Sequence, residues 1–246
     1  MIRVIQYENR SVTEVPHLYR LMQMVAKYCY TNNKEYRLYY SYEKDIPEYW
    51  IKVFLLRDLL NEMDDDDYLV WMNSDAFIHR DFTQYLPNSK DGKVMTVSPN
   101  IKPTSSPFSS SVFMVNKGAI AIFDFWVNMY DESKWRKKKG KWQWKSKSHS
   151  RGLYERYLLS QHGDMINRVS PTVLQCPSIV SYRDNTCIFH FSWRRKKERI
   201  YQTLGYLGYL NGESVGDDAE LRHIPKLSIS KSIGRDKSRG RFRHKK

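Results

Sequence analysis

The segment YLVWMNSDAFIHR, residues 68–80, opens with five apolar or aromatic residues, Tyr68–Met72, too hydrophobic for a strand with one face in water. Such a run belongs in the centre of a sheet, buried on both faces. It stops at Asn73, Ser74 and Asp75, which puts hydrogen-bonding groups and a carboxylate just past the C-terminal end of the strand. In open α/β sheets, ligands bind at that edge. An isolated Asp there also serves as an ordinary turn or capping residue, so the rest of the chain has to carry the argument.

Upstream, Ile2–Tyr7 reads as a buried first strand, and Leu18, Leu21, Met22, Val25 and Ala26 recur at helical spacing within residues 17–30. Residues 36–42 are aromatic and strand-like. Residues 49–63 are helical again, with a broad apolar face from Trp50, Val53, Phe54, Leu56, Leu59 and Leu60. Downstream, strands are expected at 93–97 and 111–115, helices at 118–130 and 153–162, and strand-like segments at 165–169 and 186–191. This alternation predicts an α/β fold, a mixed, mostly parallel sheet flanked by helices. One domain is expected over residues 1–212, with a basic, aromatic insertion at about 131–151. A basic tail follows at 213–246, where charge, Gly and Ser dominate and order fades.

A chain of 246 residues buries one sizeable core, and 41% hydrophobic with 14% aromatic residues excludes a disordered protein. No apolar run approaches the roughly 20 residues needed to cross a bilayer, and MIRVIQYENR lacks the cleavage region of a signal peptide. Cys29, Cys176 and Cys187 are far apart and without zinc-type pairing, which suits reduced, buried thiols. The expectation is a soluble, cytoplasmic protein. A net charge of +14 invites a nucleic-acid reading. The charge, however, collects in residues 135–147 (WRKKKGKWQWKSK), 194–199 and 226–246. Nucleic acid is therefore not the expected partner, and the tail offers at most weak contact to a membrane surface or polyanion.

A departing diphosphate needs a divalent cation, and Mg²⁺ or Mn²⁺ takes one or two carboxylates together with phosphate oxygens and water. Asp75 is the natural carboxylate for it. Residues 71–76 resemble the Trp-x-Asp-Ser-Asp-Ala form of the DxD motif of GT-A glycosyltransferases, with Asn73 in place of the first Asp. YWIKVFLLR (49–57) resembles the W-x-K helix before that strand in the retaining galactosyl-, mannosyl- and xylosyltransferase families. SSVFMVNKG (110–118) resembles their strand after the donor loop, LYERYL (153–158) their short acidic helix, and CIFHFSW (187–193) their late strand ending in a metal-binding His. The likeness runs in order over roughly residues 1–195 and extends to small glycosyltransferases of large algal viruses.

The resemblance implies a GT-A, Rossmann-like nucleotide-diphospho-sugar transferase. Such a hexosyl- or pentosyltransferase moves a sugar from a UDP- or GDP-sugar donor to the hydroxyl of a glycan acceptor. It implies a Mn²⁺ or Mg²⁺ cofactor on Asp75 and His190, with Glu155 and Asp75 as catalytic residues. The donor contacts it implies are Gln6 and Tyr7 at the base, Asn73 at the ribose, and Ser74, Lys52, Ser110 and Ser111. Asn73 can hydrogen-bond a ribose but brings no charge to a cation.

Other readings of these residues stand beside these. Tyr7 and His190 also suit the core, Glu155 a solvent-facing helix position, and Lys52 and Arg57 an exposed helix face. Four consecutive carboxylates at 64–67 cannot all face one ion and read as a solvated turn. Trp135, Trp142 and Trp144 suit stacking on an acceptor glycan, a polyanion or a membrane surface, or a mobile basic loop. A retaining and an inverting course both remain open. The rival functions are a basic nucleic-acid-binding module and a catalytically degenerate GT-A scaffold.

Overall fold

The structure, a computed structural model, describes residues 1–100, 106–145, 151–191 and 196–210. The chain begins with β1 (Ile2–Tyr7), α1 (Pro16–Thr31), β2 (Glu35–Tyr39), α2 (Glu48–Asn61), β3 (Tyr68–Met72) and β4 (Ala76–Ile78). It continues through β5 (Met95–Ser98), β6 (Ser109–Asn116), α3 (Ile120–Asn128), β7 (Trp135–Lys138), β8 (Lys141–Trp144) and α4 (Arg151–His162). The last elements are β9 (Ile166–Arg168), α5 (Pro171–Leu174), β10 (Ile188–His190) and α6 (Lys196–Tyr206). Every strand and helix expected from the sequence is present, β1 and β3 with the expected bounds and the others with shifted ends. The structure adds β4, α5, α6 and the β7–β8 pair.

Six strands form one sheet in the order β2-β1-β3-β6-β5-β9. β1 runs parallel to β2 and β3, β9 runs parallel to β5, and β6 runs antiparallel to both β3 and β5. The sheet is thus mixed and mostly parallel, with β6 alone reversed. Its side chains alternate between two cores. Val4, Val70, Met72, Val112 and Met114 face a core shared with α1, β4, β10, α5 and α6, while Ile5, Leu69, Trp71, Phe113 and Val115 face one shared with α2, α3 and α4. The uninterrupted apolar run of β3 follows directly from this double burial, each such side chain contributing about 1.5–3 kcal/mol.

α1 starts on Pro16, whose fixed φ suits a first helical position. It is followed by Asn33 at φ 51°, a left-handed turn that Asn tolerates. The acidic run divides. Asp64, Asp65 and Asp66 are exposed, as a solvated turn requires, but Asp67 is buried and pairs with Arg3 Nη2 at 2.9 Å. The three cysteines are free and buried. Burial pushes the Cys29 thiol up to about 12 and the Cys187 thiol to about 11, so both stay protonated at neutral pH. Among the described residues, no helix is long and apolar enough to cross a membrane. The tail at 213–246 lies outside the described residues, as do residues 101–105 between β5 and β6.

Strand polarity locates the ligand edge. The C-terminal ends of β1, β2, β3, β5 and β9 and the start of β6 share one edge of the sheet. α2 begins there, following the loop from β2. α4 begins there too, because it leads into β9 from the opposite edge.

Candidate active site

Leaving β3, the chain turns at once. The Asn73 N–H donates to Ser111 O at 2.8 Å, and the Ala76 N–H donates to Asn73 O at 3.0 Å. Gln6, near the end of β1, holds this turn from beneath. Its Nε2 donates to Asn73 O at 3.0 Å and to Ala76 O at 3.5 Å, while its Oε1 accepts from the Tyr36 hydroxyl at 2.8 Å. Gln6 is 0% exposed. With its amide bonded at both ends, Gln6 braces the turn. Tyr7 is half-buried against the second core. Burial, with Glu48 and Glu8 nearby, pushes its hydroxyl up, so it remains a protonated donor.

Within the turn, Asn73 Oδ1 accepts from the Trp71 indole N–H at 3.1 Å, which fixes the orientation of its amide. Ser74 Oγ donates to Glu8 Oε2 at 2.7 Å. Glu8, just past β1, also accepts from the Arg10 backbone N–H at 3.0 Å, from Nε at 2.7 Å and from Nη2 at 2.6 Å. Burial alone would push the Glu8 carboxyl up, but the hydrogen bonds from Arg10 and Ser74 outweigh it and hold the group below its ordinary range. Arg10 in turn is held protonated by Glu8, with smaller contributions from Glu48 and Asp75. A guanidinium therefore stands in the field of Asp75.

Asp75 and His190 meet at this edge. Asp75 Oδ1 lies 3.3 Å from His190 Nε2, and the two residues are 7% and 6% exposed. The main chain enforces the meeting: β10 pairs antiparallel with β4, placing His190 opposite Ala76, and the Phe191 N–H donates to Asp75 O at 2.9 Å. Phe77 stacks on Phe189 and Phe191 at centroid distances of 5.2 and 5.9 Å, fixing the two short strands against each other. His190 is thus a buried histidine, as its apolar flanks suggest, and also a neighbour of Asp75.

Behind the turn, Lys52 Nζ donates to Ser110 O and Ser110 Oγ, both at 2.7 Å. Lys52 is 6% exposed and Ser110 is fully buried. Lys52 is therefore not an exposed helix residue but a buried tie from α2 to β6. Arg57 pairs with Asp124 of α3 at 2.8 Å. Ser111 contributes its carbonyl to Asn73. Glu155 on α4 is 0% exposed and accepts a hydrogen bond from Ser106 Oγ. This excludes the solvent-facing reading and ties the carboxylate to the segment just before β6.

Neither a protein-family profile nor a curated protein sequence matches the chain. Solved structures do. A glycosyltransferase involved in the glycosylation of the major capsid of PBCV-1 superposes with a TM-score of 0.59 at 14% identity, over 82% of this chain and 98% of that one. The glycosyltransferase GlyE of Streptococcus pneumoniae TIGR4 superposes with a TM-score of 0.51 at 9% identity, over 85% of this chain and 62% of that one. The fold is GT-A.

In this GT-A scaffold the donor set at the ligand edge is small. Among the described residues no group of three or more His, Cys, Asp and Glu side chains gathers to cage a metal. One carboxylate oxygen and one imidazole nitrogen 3.3 Å apart fit a Mg²⁺ or Mn²⁺ ion that takes its remaining ligands from a diphosphate and water. Sequence reasoning missed Glu8, Arg10 and Gln175, whose Nε2 donates to Ser109 O at 3.0 Å and Val112 O at 3.3 Å. The position of Glu8 and Arg10 directly after β1, on the same edge as Asp75, was the available signal. Nothing local marked Gln175.

Proposed function

We propose that this chain is a glycosyltransferase that moves a sugar from a UDP- or GDP-sugar donor to a hydroxyl of a glycan acceptor, assisted by Mn²⁺ or Mg²⁺. The observation carrying this reading is the Asp75–His190 pair, 3.3 Å apart and set by the β4–β10 register at the ligand edge of a GT-A sheet. Asp75 and His190 would hold a cation there, which would supply charge neutralisation for the diphosphate leaving group, and Asn73 donates to the ribose. Arg10, fixed by Glu8, adds a second positive centre for the phosphates, in the geometry that suits Arg to phosphate. Tyr7 lines the base. Lys52, Ser110, Ser111 and Gln6 hold the turn in register so that these groups meet the donor without rearrangement. Glu155, bound by Ser106, sets the base of the donor loop against the sugar.

Thermal-shift and calorimetric titration of UDP and GDP, with and without Mn²⁺, on wild type and Asp75→Ala tests the reading. One nucleotide is expected to stabilise the wild type only with metal, by about 2.7 kcal/mol at a hundredfold excess over Kd, and to have no effect on the variant. Absence of binding by either nucleotide under every condition sinks the transferase mechanism and favours the degenerate scaffold.

A further inference from the structure

We propose that the acceptor is an anionic glycan, bearing phosphate, sulfate or carboxylate groups, and that it docks on the outward face of the β7–β8 hairpin. This deepens the transferase reading and rests on it. The register pairs Trp135 with Trp144, Arg136 with Gln143, Lys137 with Trp142 and Lys138 with Lys141. Because side chains alternate along a strand, Trp135, Trp144, Lys137 and Trp142 share one face, and Arg136, Gln143, Lys138 and Lys141 share the other.

The first face is turned onto the protein. Trp135 and Trp144 lie 3.6 Å apart between centroids, and Trp144 stacks on Tyr154 of α4 at 5.7 Å. The Trp142 indole donates to Asp45 Oδ1 at 3.1 Å, and Lys137 pairs with the same carboxylate. Trp135 is buried in the core, and Trp144 and Trp142 are held against Tyr154 and the β2–α2 loop. Residues 146–150 of the insertion lie outside the described residues, while residues 135–144 form an anchored hairpin rather than a mobile loop. Lys139 and Gly140 turn it with φ 52° and 73°, the geometry of a tight two-residue connection.

The second face is exposed throughout. Arg136, Lys138 and Lys141, with Lys139 at the turn, form an array of four cations. Among the described residues none of them has a carboxylate in ion-pair range. Like charges on one face of paired strands repel, so this face favours an anionic counter-charge.

Topology says what brings it. The hairpin joins the end of α3 to the start of α4, at the same edge of the sheet as Asp75. One of its anchors, Tyr154, adjoins Glu155. The other, Asp45, precedes Glu48, whose charge reaches both Tyr7 and Arg10. A rigid cationic ribbon beside the donor site is placed to receive the second substrate. A membrane fits less well, because the outward face carries no apolar side chain to enter the interface.

The test titrates the full chain with a sulfated heparin octasaccharide and, as the neutral match, maltooctaose. Only the sulfated probe is expected to bind, more weakly as salt rises. Lys138→Glu with Lys141→Glu is expected to weaken it on the order of tenfold while leaving Mn²⁺-dependent nucleotide binding unchanged. Lys27→Glu with Lys90→Glu makes the same charge change at exposed lysines on α1 and before β5 and is expected to leave octasaccharide affinity intact. Equal loss in both double variants, unaltered binding by the hairpin variant, or hairpin-dependent binding to phosphatidylserine vesicles but not to the octasaccharide overturns the proposal. Failure of the transferase reading registers separately, as wild type that binds the octasaccharide but neither nucleotide, and it removes the acceptor role.

Discussion

Glu8, just past β1, carries a buried carboxylate that accepts from Ser74 and three times from Arg10. Charge-assisted bonds of this kind contribute about 1.5–3 kcal/mol, so Glu8→Gln is expected to lose that much in urea unfolding at pH 7. The sign of its pH dependence follows from the depressed carboxyl: the stabilisation is fully present above the ordinary value of 4.5 and is lost as pH falls through the lower folded value. The gap between wild type and Glu8→Gln should therefore close in acid, and a gap constant from neutrality downward contradicts the network. Lys52→Met strips two hydrogen bonds from buried Ser110 and is expected to cost about 1–3 kcal/mol. A variant as stable as wild type in the same unfolding experiment shows that this tie contributes nothing.

At the scale of elements, the junction from β6 to α3 depends on Gly118. A Cβ there meets Val94 Cγ1 at 2.7 Å and Asn116 Oδ1 at 3.2 Å, and that same Oδ1 accepts from the Gly118 N–H at 3.0 Å. Gly118→Ala is expected to destabilise by about 1–3 kcal/mol. Adding Val94→Ala should cost less than the two single losses summed, a non-additivity that a double-mutant cycle measures. Simple addition places the strain elsewhere. The Asn-Lys-Gly sequence was legible at this junction, whereas the hairpin was not. Four-residue strands rich in Lys carry too little apolar alternation to announce themselves, and it is packing of Trp135 on Trp144 and of Trp144 on Tyr154 that makes them strands.

The whole molecule buries the central sheet between two cores, and only one of them holds β10 and therefore His190. Phe189→Ala and Phe123→Ala each remove a fully buried ring, from opposite cores, and each is expected to cost about 3–5 kcal/mol. Below both melting transitions, Phe189→Ala alone should weaken metal-dependent nucleotide binding in calorimetry. Equal affinity in the two variants means that the β4–β10 pairing does not set the site. The β/α alternation, the central strand and the place of Asp75 at its end could all be read from the sequence, because periodicity and apolar content are local properties of a chain. Only the tertiary structure could set His190 against Asp75, assemble Glu8, Ser74 and Arg10, and turn Gln6, Lys52 and Glu155 inward. A polar side chain's burial and partner depend on which distant strands pair and in what register, and no local pattern encodes that.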